Sequence, residues 1–469
     1  MTPKSSERSH DLAPSMDAER IREISRKHLW QPLFQHSLLE TQKPLVLKEG
    51  TGCYVKDYEG REYLDAFSGL WAVNIGYGRR EVADAVYRQM SELPYYPLSQ
   101  LNVPAALLAE KLASLLPGDL ERIFFLNSGS EAVETALKIS RQYGRQKYPG
   151  ENRYKIIARY RGYHGFTMGA LSATGQKMRK KKFEPLVPGF LHAHPPYCYR
   201  CPLNLTYPEC NVKCADEIGN IIQFEGKESV AAVIAEPIIG GGGVIVPPPE
   251  YFPKLRKICD DNGVLLIADE VITGFGRTGT LFASEGFNIA PDLVTMAKGI
   301  SSAYLPLAAC ATTPKVFDAF LGSPEAELEF GQVSTFGGHP AACAAGLANL
   351  DILLRERLWE NSAQVGAYLL KGLEQLKEFP IVGDVRGKGL LAGIEIVVDE
   401  NKTPADDKIM GRILKGARDE GVIVGRNTMT VTNYNNVVAL SPPLILKNGE
   451  ADRIVEALKK SIGQVARSL

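Results

Sequence analysis

Nothing in the sequence favours a charged or membranous partner. Lys plus Arg and Asp plus Glu both number 54, so the formal net charge is zero. That leaves no electrostatic reason for nucleic acid or an anionic membrane surface to bind. No apolar run approaches the roughly 20 residues needed to cross a bilayer. The N-terminus lacks the apolar core of a secretion signal, and residues 1–19 read as a disordered polar leader. With no such signal, the eight cysteines point to reduced thiols in a cytoplasm rather than to a disulfide framework. Internal repeats and low-complexity tracts are missing too, which argues against a solenoid. The densest basic run, Arg179-Lys180-Lys181-Lys182, reads as a solvated surface.

What is present is ordinary globular material. The 469 residues, 45% hydrophobic and 23% charged, suffice for two to three domain-sized units with a large core. Short apolar runs alternate with helical patterns. Arg122–Leu126, Lys155–Ala158, Val230–Ala235, Val264–Ala268 and Leu293–Ala297 read as strands, and Ser130–Arg141 and Tyr251–Asn262 as helices. Apolar strands separated by helices predict an α/β fold with a parallel sheet covered on both faces. Residues 78–340 are therefore expected to form one large α/β domain. Residues 20–77 carry a hairpin pattern at Tyr54–Leu64. In 341–469, helices at Ala341–Leu354 and Gln364–Lys377 precede a strand at Leu390–Val398 and a last helix after Gly449. These two flanks are expected to pack together as a smaller α+β domain.

Three segments carry candidate chemistry. Asn127-Ser128-Gly129-Ser130-Glu131-Ala132 lies between a strand and a helix, and Ser128 with Glu131 forms a capping box. It is either an ordinary capped helix or an anion site built on free N–H groups, with Gly129 letting a ligand approach. Asp269-Glu270 ends an apolar strand, at the sheet edge where ligands bind in open α/β folds. One acid there could cap the next segment or pair with a cationic ring nitrogen. Lys298 follows another apolar strand. It is either a turn lysine or an amine whose burial lowers its pKa and frees it as a nucleophile. Together, an anion cup, a carboxylate and an amine at one edge match the needs of pyridoxal 5'-phosphate. Tyr163-His164-Gly165 adds an aromatic ring able to stack on a flat cofactor.

On these segments the sequence resembles class III pyridoxal-phosphate aminotransferases of the ω-amino acid or amine:pyruvate type. The carriers are NSGSEA (Asn127–Ala132), YHG (Tyr163–Gly165), EP with glycines (Glu236–Gly243), DEVITGFGRTG (Asp269–Gly279), AKG (Ala297–Gly299), TFGGHP (Thr335–Pro340) and SPPL (Ser441–Leu444). LWAVNIGYG (Leu70–Gly78) and GDVRGKGLL (Gly383–Leu391) are similar to the taurine:pyruvate branch. The resemblance implies fold type I, with a large domain built on a mostly parallel seven-stranded sheet, and a homodimer with shared active sites that could pair further into a tetramer. It implies that Lys298 holds the cofactor as an imine and then moves protons, while Asp269 holds the ring nitrogen protonated. Ser128, Gly129, Ser130, Tyr163, His164 and Glu236 would surround the cofactor, and Thr335 would reach the phosphate from the neighbouring subunit.

The same resemblance places Trp71 at the amine pocket, where the alternative is a core tryptophan. It makes Arg426 the mobile arginine for the acceptor's carboxylate, where the alternative is a structural arginine. Gly241 stands where relatives using 4-aminobutyrate or ornithine often carry an acid, which disfavours a glutamate-using enzyme. Ile239 replaces a polar residue that commonly contacts the cofactor ring oxygen. Cys198, Cys201, Cys210 and Cys214 form C-x2-C-x8-C-x3-C, open to a structural metal, a disulfide or free thiols; no metal is assigned to the site itself. The expected activity is transfer of an amino group from a primary amine or ω-/β-amino acid to pyruvate, giving L-alanine. The alternative is another class III enzyme: a 2-oxoglutarate-dependent aminotransferase, aminomutase or decarboxylase. A nucleotide-binding module is disfavoured because G-x-G-x-x-G after a first strand is absent, and a decayed scaffold because Lys298 and Asp269 are intact.

Overall fold

The expected apolar strands assemble into one seven-stranded sheet in the computed structural model, which describes residues 16–469. Across the sheet run Arg122–Leu126, Ala308–Thr312, Leu293–Met296, Leu265–Asp269, Val230–Ala235, Lys155–Arg159 and Phe190–Ala193. Ala308–Thr312 is antiparallel to both neighbours, and the other six strands run in parallel. Two strands were not anticipated. Phe190–Ala193 is a half-buried edge strand carrying His192, and Ala308–Thr312 is fully buried but made of small residues (AACAT). Neither presents the bulky apolar run by which a central strand is recognised.

Alternate residues of these strands face opposite layers, as the two-residue period requires. Leu265, Ile267 and Leu293 pack with Ala132, Val133 and Ala136 of the helix Gly129–Lys147. On the other face, Val230, Val233 and Leu266 pack on Leu255 and Cys259 of the helix Tyr251–Asn262. Farther along that face, Val294 and Met296 join Leu108, Leu112 and Cys343 of the helices Val103–Leu115 and Pro340–Arg355. Burial on both faces explains why VAAVIA (Val230–Ala235) is apolar without alternation.

The terminal regions meet in two small sheets. Tyr54–Asp57 and Glu62–Asp65 form the anticipated hairpin, extended by Leu47–Thr51. Val422–Ile423, from the C-terminal region, pairs in parallel with Leu64–Asp65. The other sheet runs Val382–Gly387, Ala392–Ile396, Val437–Leu440 and Gly425–Arg426. Of the expected leader, residues 1–15 lie outside the described residues. Ala18 and Glu19 do not belong to a leader: they open the helix Ala18–His28, whose first turn is capped by Asp17 accepting from the Arg20 amide at 2.8 Å.

Arg277 ties these regions to the large sheet. It is fully buried. Its Nη1 donates to the carbonyls of Leu390, at 3.0 Å, and Pro442, and its Nη2 donates to Asn74 Oδ1 at 2.9 Å. Asn74 Nδ2 donates back to the Phe275 carbonyl at 2.8 Å. Burial disfavours the guanidinium charge, and the Asp65 carboxylate opposes that effect. Replacing Arg277 with Met leaves three buried acceptors unpaired, each costing about 1–3 kcal/mol, while removing a desolvated charge offsets part of this. A net loss of at least about 2 kcal/mol is expected in urea unfolding, with Arg277→Lys recovering only part of it. An unchanged unfolding midpoint for R277M overturns this role.

Candidate active site

Because six strands run in parallel, their carboxyl ends share one edge, and the loops leaving it carry Ser128 to Ser130, Tyr163 to Gly165, Glu236, Asp269 and Lys298. Asp269, the last residue of its strand, is buried and well held. Its Oδ2 accepts from His164 Nδ1 at 2.7 Å, and its Oδ1 accepts from Thr295 Oγ1 at 3.0 Å and from the Val271 amide at 3.2 Å. A carboxylate only accepts, so this contact assigns the His164 proton to Nδ1. Thr295 was not singled out in the sequence. It lies directly opposite Asp269 in the ladder, and a lone hydroxyl within Leu293–Met296 was the available signal.

Lys298 follows the neighbouring strand and sits at φ 49°, the left-handed region, which costs a non-glycine residue about 1–3 kcal/mol. Burial pushes its amine below the usual lysine range, while the charges of Asp269 and Glu236 pull it back up. The carboxyl of Glu236 is itself pushed up by burial, with the His164 ring opposing. Glu236 organises two loops at once: Oε1 accepts from the Tyr163 amide at 2.9 Å and Oε2 from the Gly240 amide at 3.0 Å.

The capping box forms as the sequence indicates. Ser128 Oγ accepts from the Glu131 amide at 3.3 Å, and Glu131 Oε2 accepts from the amides of Asn127 at 2.8 Å and Ser128 at 3.0 Å. The amides of Gly129 and Ser130 remain as first-turn donors without an intrahelical acceptor. Gly129 is pressed against the neighbouring loops: a Cβ there would stand 3.0 Å from Val271 Cγ1 and 3.6 Å from Ala297 Cβ. Ser130 Oγ accepts from the Phe166 amide at 3.1 Å, which leaves its own proton to donate. At Gly165 a Cβ would come within 2.5 Å of Ser130 Oγ, so only glycine lets the Tyr163 loop close on the helix end.

The outlying candidates are placed as follows. Trp71 is buried, at φ 62°, with its ring edge-on to Phe67 at 4.8 Å and within a cluster that includes Ala439 and Ile272. Arg426 Nη1 pairs with Asp407 Oδ1 at 2.9 Å. Thr335 is exposed, and its carbonyl accepts from Tyr95 Oη at 2.7 Å. Gly241 lies beside Tyr163, and a Cβ there would make only ordinary contacts, at 3.6 Å or more. Ile239 packs with Ile245 and Tyr197. Arg179 is not the solvated residue expected from its basic run. It is half-buried, with its guanidinium 4.6 Å from the Tyr163 ring centroid.

The four cysteines of the insertion line a single small void and are free thiols. Among the described residues, no three His, Cys, Asp or Glu side chains are arranged to hold a metal ion. Burial pushes the Cys214 thiol up to about 12, and the neighbouring Cys198, Cys210 and Cys201 add to the effect.

The donors at the sheet edge fit a phosphorylated pyridine aldehyde: a desolvated amine for the aldehyde, a braced carboxylate for the ring nitrogen, and a helix N-terminus freed of side chain at Gly129 for the phosphate. Comparison with known proteins agrees. The family model for class-III aminotransferases matches residues 37–462. An uncharacterized aminotransferase of Bacillus subtilis, YhxA, is 52% identical over 418 residues, covering 89% of this chain and 91% of that one. The taurine–pyruvate aminotransferase of Bilophila wadsworthia is 42% identical, covering 94% and 96%. Among solved structures, an (S)-enantioselective omega-transaminase from Thermomicrobium roseum superimposes with TM-score 0.91 at 41% identity, covering 96% of this chain and 100% of that one.

Because folding disfavours the ammonium form of Lys298, its free amine persists to lower pH than in the unfolded chain. In cofactor-free protein, the pH profile of trace acetylation at Lys298 is expected to have its midpoint below that of surface lysines. Asp269→Asn, which removes a charge that favours the ammonium, is expected to move the midpoint lower still. A wild-type midpoint at or above the surface lysines overturns this reading.

Proposed function

The chain belongs to the class-III aminotransferase family, and we propose that it moves the amino group of a primary amine or an ω- or β-amino acid to pyruvate, giving L-alanine. The observation that carries this is the convergence of Lys298, Asp269, Glu236 and the Gly129–Ser130 helix end on one sheet edge. The names of the relatives point the same way: one acts on taurine and pyruvate, and another is an omega-aminotransferase.

The enzyme depends on pyridoxal 5'-phosphate, which when bound supplies an aldehyde that condenses with amines and a protonated ring that takes up carbanion electrons. In our reading Lys298 would hold the cofactor through its amine, and its Nζ, once released, would take up and return the proton of the substrate carbon. Asp269, fixed by His164 and Thr295, would pair with the ring nitrogen. The amides of Gly129 and Ser130 and the hydroxyls of Ser128 and Ser130 would hold the phosphate. Tyr163 would offer its ring to the cofactor, and Glu236 fixes the Tyr163 loop. Trp71 walls the amine side. Arg426 leaves Asp407 to take the keto acid's carboxylate, and the half-exposed pair at 2.9 Å is weak enough to exchange.

The active unit in this reading is a homodimer in a reducing cytoplasm, with Thr335 completing the neighbour's phosphate site. Support for the dimer is a band of exposed apolar side chains flanking Thr335, including Leu101 (92% exposed), Val333 (90%) and Val103 (71%). The segments bearing them touch through Tyr95 and Phe336, with ring centroids 5.7 Å apart. A monomer rarely leaves such a patch to water. Support for the compartment is that all eight cysteines are free. Among the described residues, no helix is long and apolar enough to cross a membrane.

An amine donor alone is expected to convert the bound cofactor's aldehyde absorption to that of the amine form with one equivalent of carbonyl product, and pyruvate is expected to restore it. Persistence of the aldehyde form with taurine, β-alanine, putrescine and 1-phenylethylamine overturns the proposal. Arg426→Met is expected to raise KM for pyruvate about 10- to 100-fold, the worth of a charge-assisted contact of about 1.5–3 kcal/mol. Light scattering is expected to give the mass of two chains or a multiple of that, and Leu101→Arg with Val333→Arg a smaller, inactive species. A fully active monomer rules out the shared site.

A further inference from the structure

A cavity of about 740 Å³ opens beside Tyr163. Phe34, Phe166, Met168, Phe183 and Met429 contribute to its apolar walls, and among the described residues Arg179 and Lys182 are its only charged lining residues and no carboxylate lines it. Tyr163 is thus shared between the cofactor edge, where its amide is held by Glu236 at 2.9 Å, and this cavity.

Arg179 shares with Arg161, whose Nε donates to the Gly242 carbonyl at 3.1 Å, the lack of a carboxylate partner among the described residues. Arg200 and Arg386 both reach the Glu395 carboxylate. Arg179 meets no carboxylate among the described residues. Its Nε donates to Gln176 Oε1 at 2.8 Å and its Nη2 to the Thr428 carbonyl at 3.3 Å. Those bonds fix the plane of the guanidinium and leave both Nη1 protons unassigned. Gln176 is itself held, its Nε2 donating to the Arg161 carbonyl at 2.9 Å, and the Met178 amide donates to the Thr430 carbonyl, two residues beyond Thr428, at 3.2 Å. Burial disfavours the charge, with only Tyr163 opposing. A half-buried, rigidly held guanidinium that lines a cavity, meets no counter-charge and keeps both Nη1 protons without an acceptor suits a planar or tetrahedral anion.

We propose that Arg179, assisted by Lys182, recognises the acidic group at the far end of the amine donor, a carboxylate or sulfonate, while the donor's carbon chain lies along the aromatic walls beside Tyr163. This rests on the amine-transfer reading above and deepens it. It separates two anion sites: Arg426 for the keto acid and Arg179 for the donor. It also explains how an enzyme with glycine at position 241 handles an acidic donor without a switching acid beside Tyr163.

The experiment compares wild type with Arg179→Met, Arg179→Gln and Arg179→Lys, using pyruvate as common acceptor. The donors are paired by size: taurine and β-alanine against n-propylamine. For R179M and R179Q, KM for the acidic donors is expected to rise 10- to 100-fold, with the rise for n-propylamine at least tenfold smaller and kcat for each donor changing less than KM. R179K is expected to recover part of the loss. As a readout independent of turnover, calorimetric binding of ethanesulfonate to the cofactor-loaded enzyme is expected to weaken in R179M by a similar factor. Equal losses on acidic and uncharged donors, or no change in any KM, overturn the proposal. If R179M does not fold, the decision falls to R179Q and R179K on the same criteria. A wild type that transfers no amine to pyruvate sinks the amine-transfer reading itself, whereas an active wild type indifferent to Arg179 sinks only this inference.

Discussion

The guanidinium of Arg277 is packed away from water and bound by oxygens from three distant stretches of chain: Asn74, Leu390 and Pro442. Losing any one of those oxygens would leave a further buried donor unpaired beside an Nε that already has no partner. The N-terminal segment, the glycine turn after Val382–Gly387 and the Ser441–Leu444 stretch are therefore held in one register against the loop that follows Asp269. Asn74 also closes the bond back to the Phe275 carbonyl.

Against that frame, the sheet edge works by keeping ionisable groups short of water. The amine of Lys298 and the carboxyl of Glu236 are each pushed by burial toward their neutral forms, while Asp269 accepts three hydrogen bonds, from His164, Thr295 and the Val271 amide. A neutral amine is ready to attack a carbonyl, and a retained carboxylate is ready to hold a cation. Glu236 also couples the edge mechanically to the Tyr163 loop, whose closure on the helix end is possible because position 165 has no side chain.

Much of this was legible before any coordinates. Val230–Ala235 announced a central strand because it is apolar on both faces, and Ser128 with Glu131 announced a helix start because a capping box is local chemistry. Ala308–Thr312 was illegible: its burial comes from neighbours on both sides, not from its own small side chains. Arg179 was misjudged for a related reason. Four consecutive basic residues look solvated, yet the short helix Lys177–Lys180 docks on residues about 250 positions away, through the Met178 and Arg179 bonds to Thr430 and Thr428.

Read along the chain alone, the alternation of apolar strands with helices, the positions of Asp269 and Lys298 at strand ends, the capped helix at Ser128 and the family's spaced motifs are all visible. These are properties of short stretches, decided by side-chain periodicity and local hydrogen bonding. Folding adds the rest: Thr295 and His164 brace Asp269, Glu236 binds two loops, Arg277 joins three chain segments, and Arg179 faces Tyr163 with no counter-charge among the described residues. Each of those depends on which distant groups are brought within about 3 to 5 Å, the range over which hydrogen bonds and desolvated charges act, and no local pattern records that.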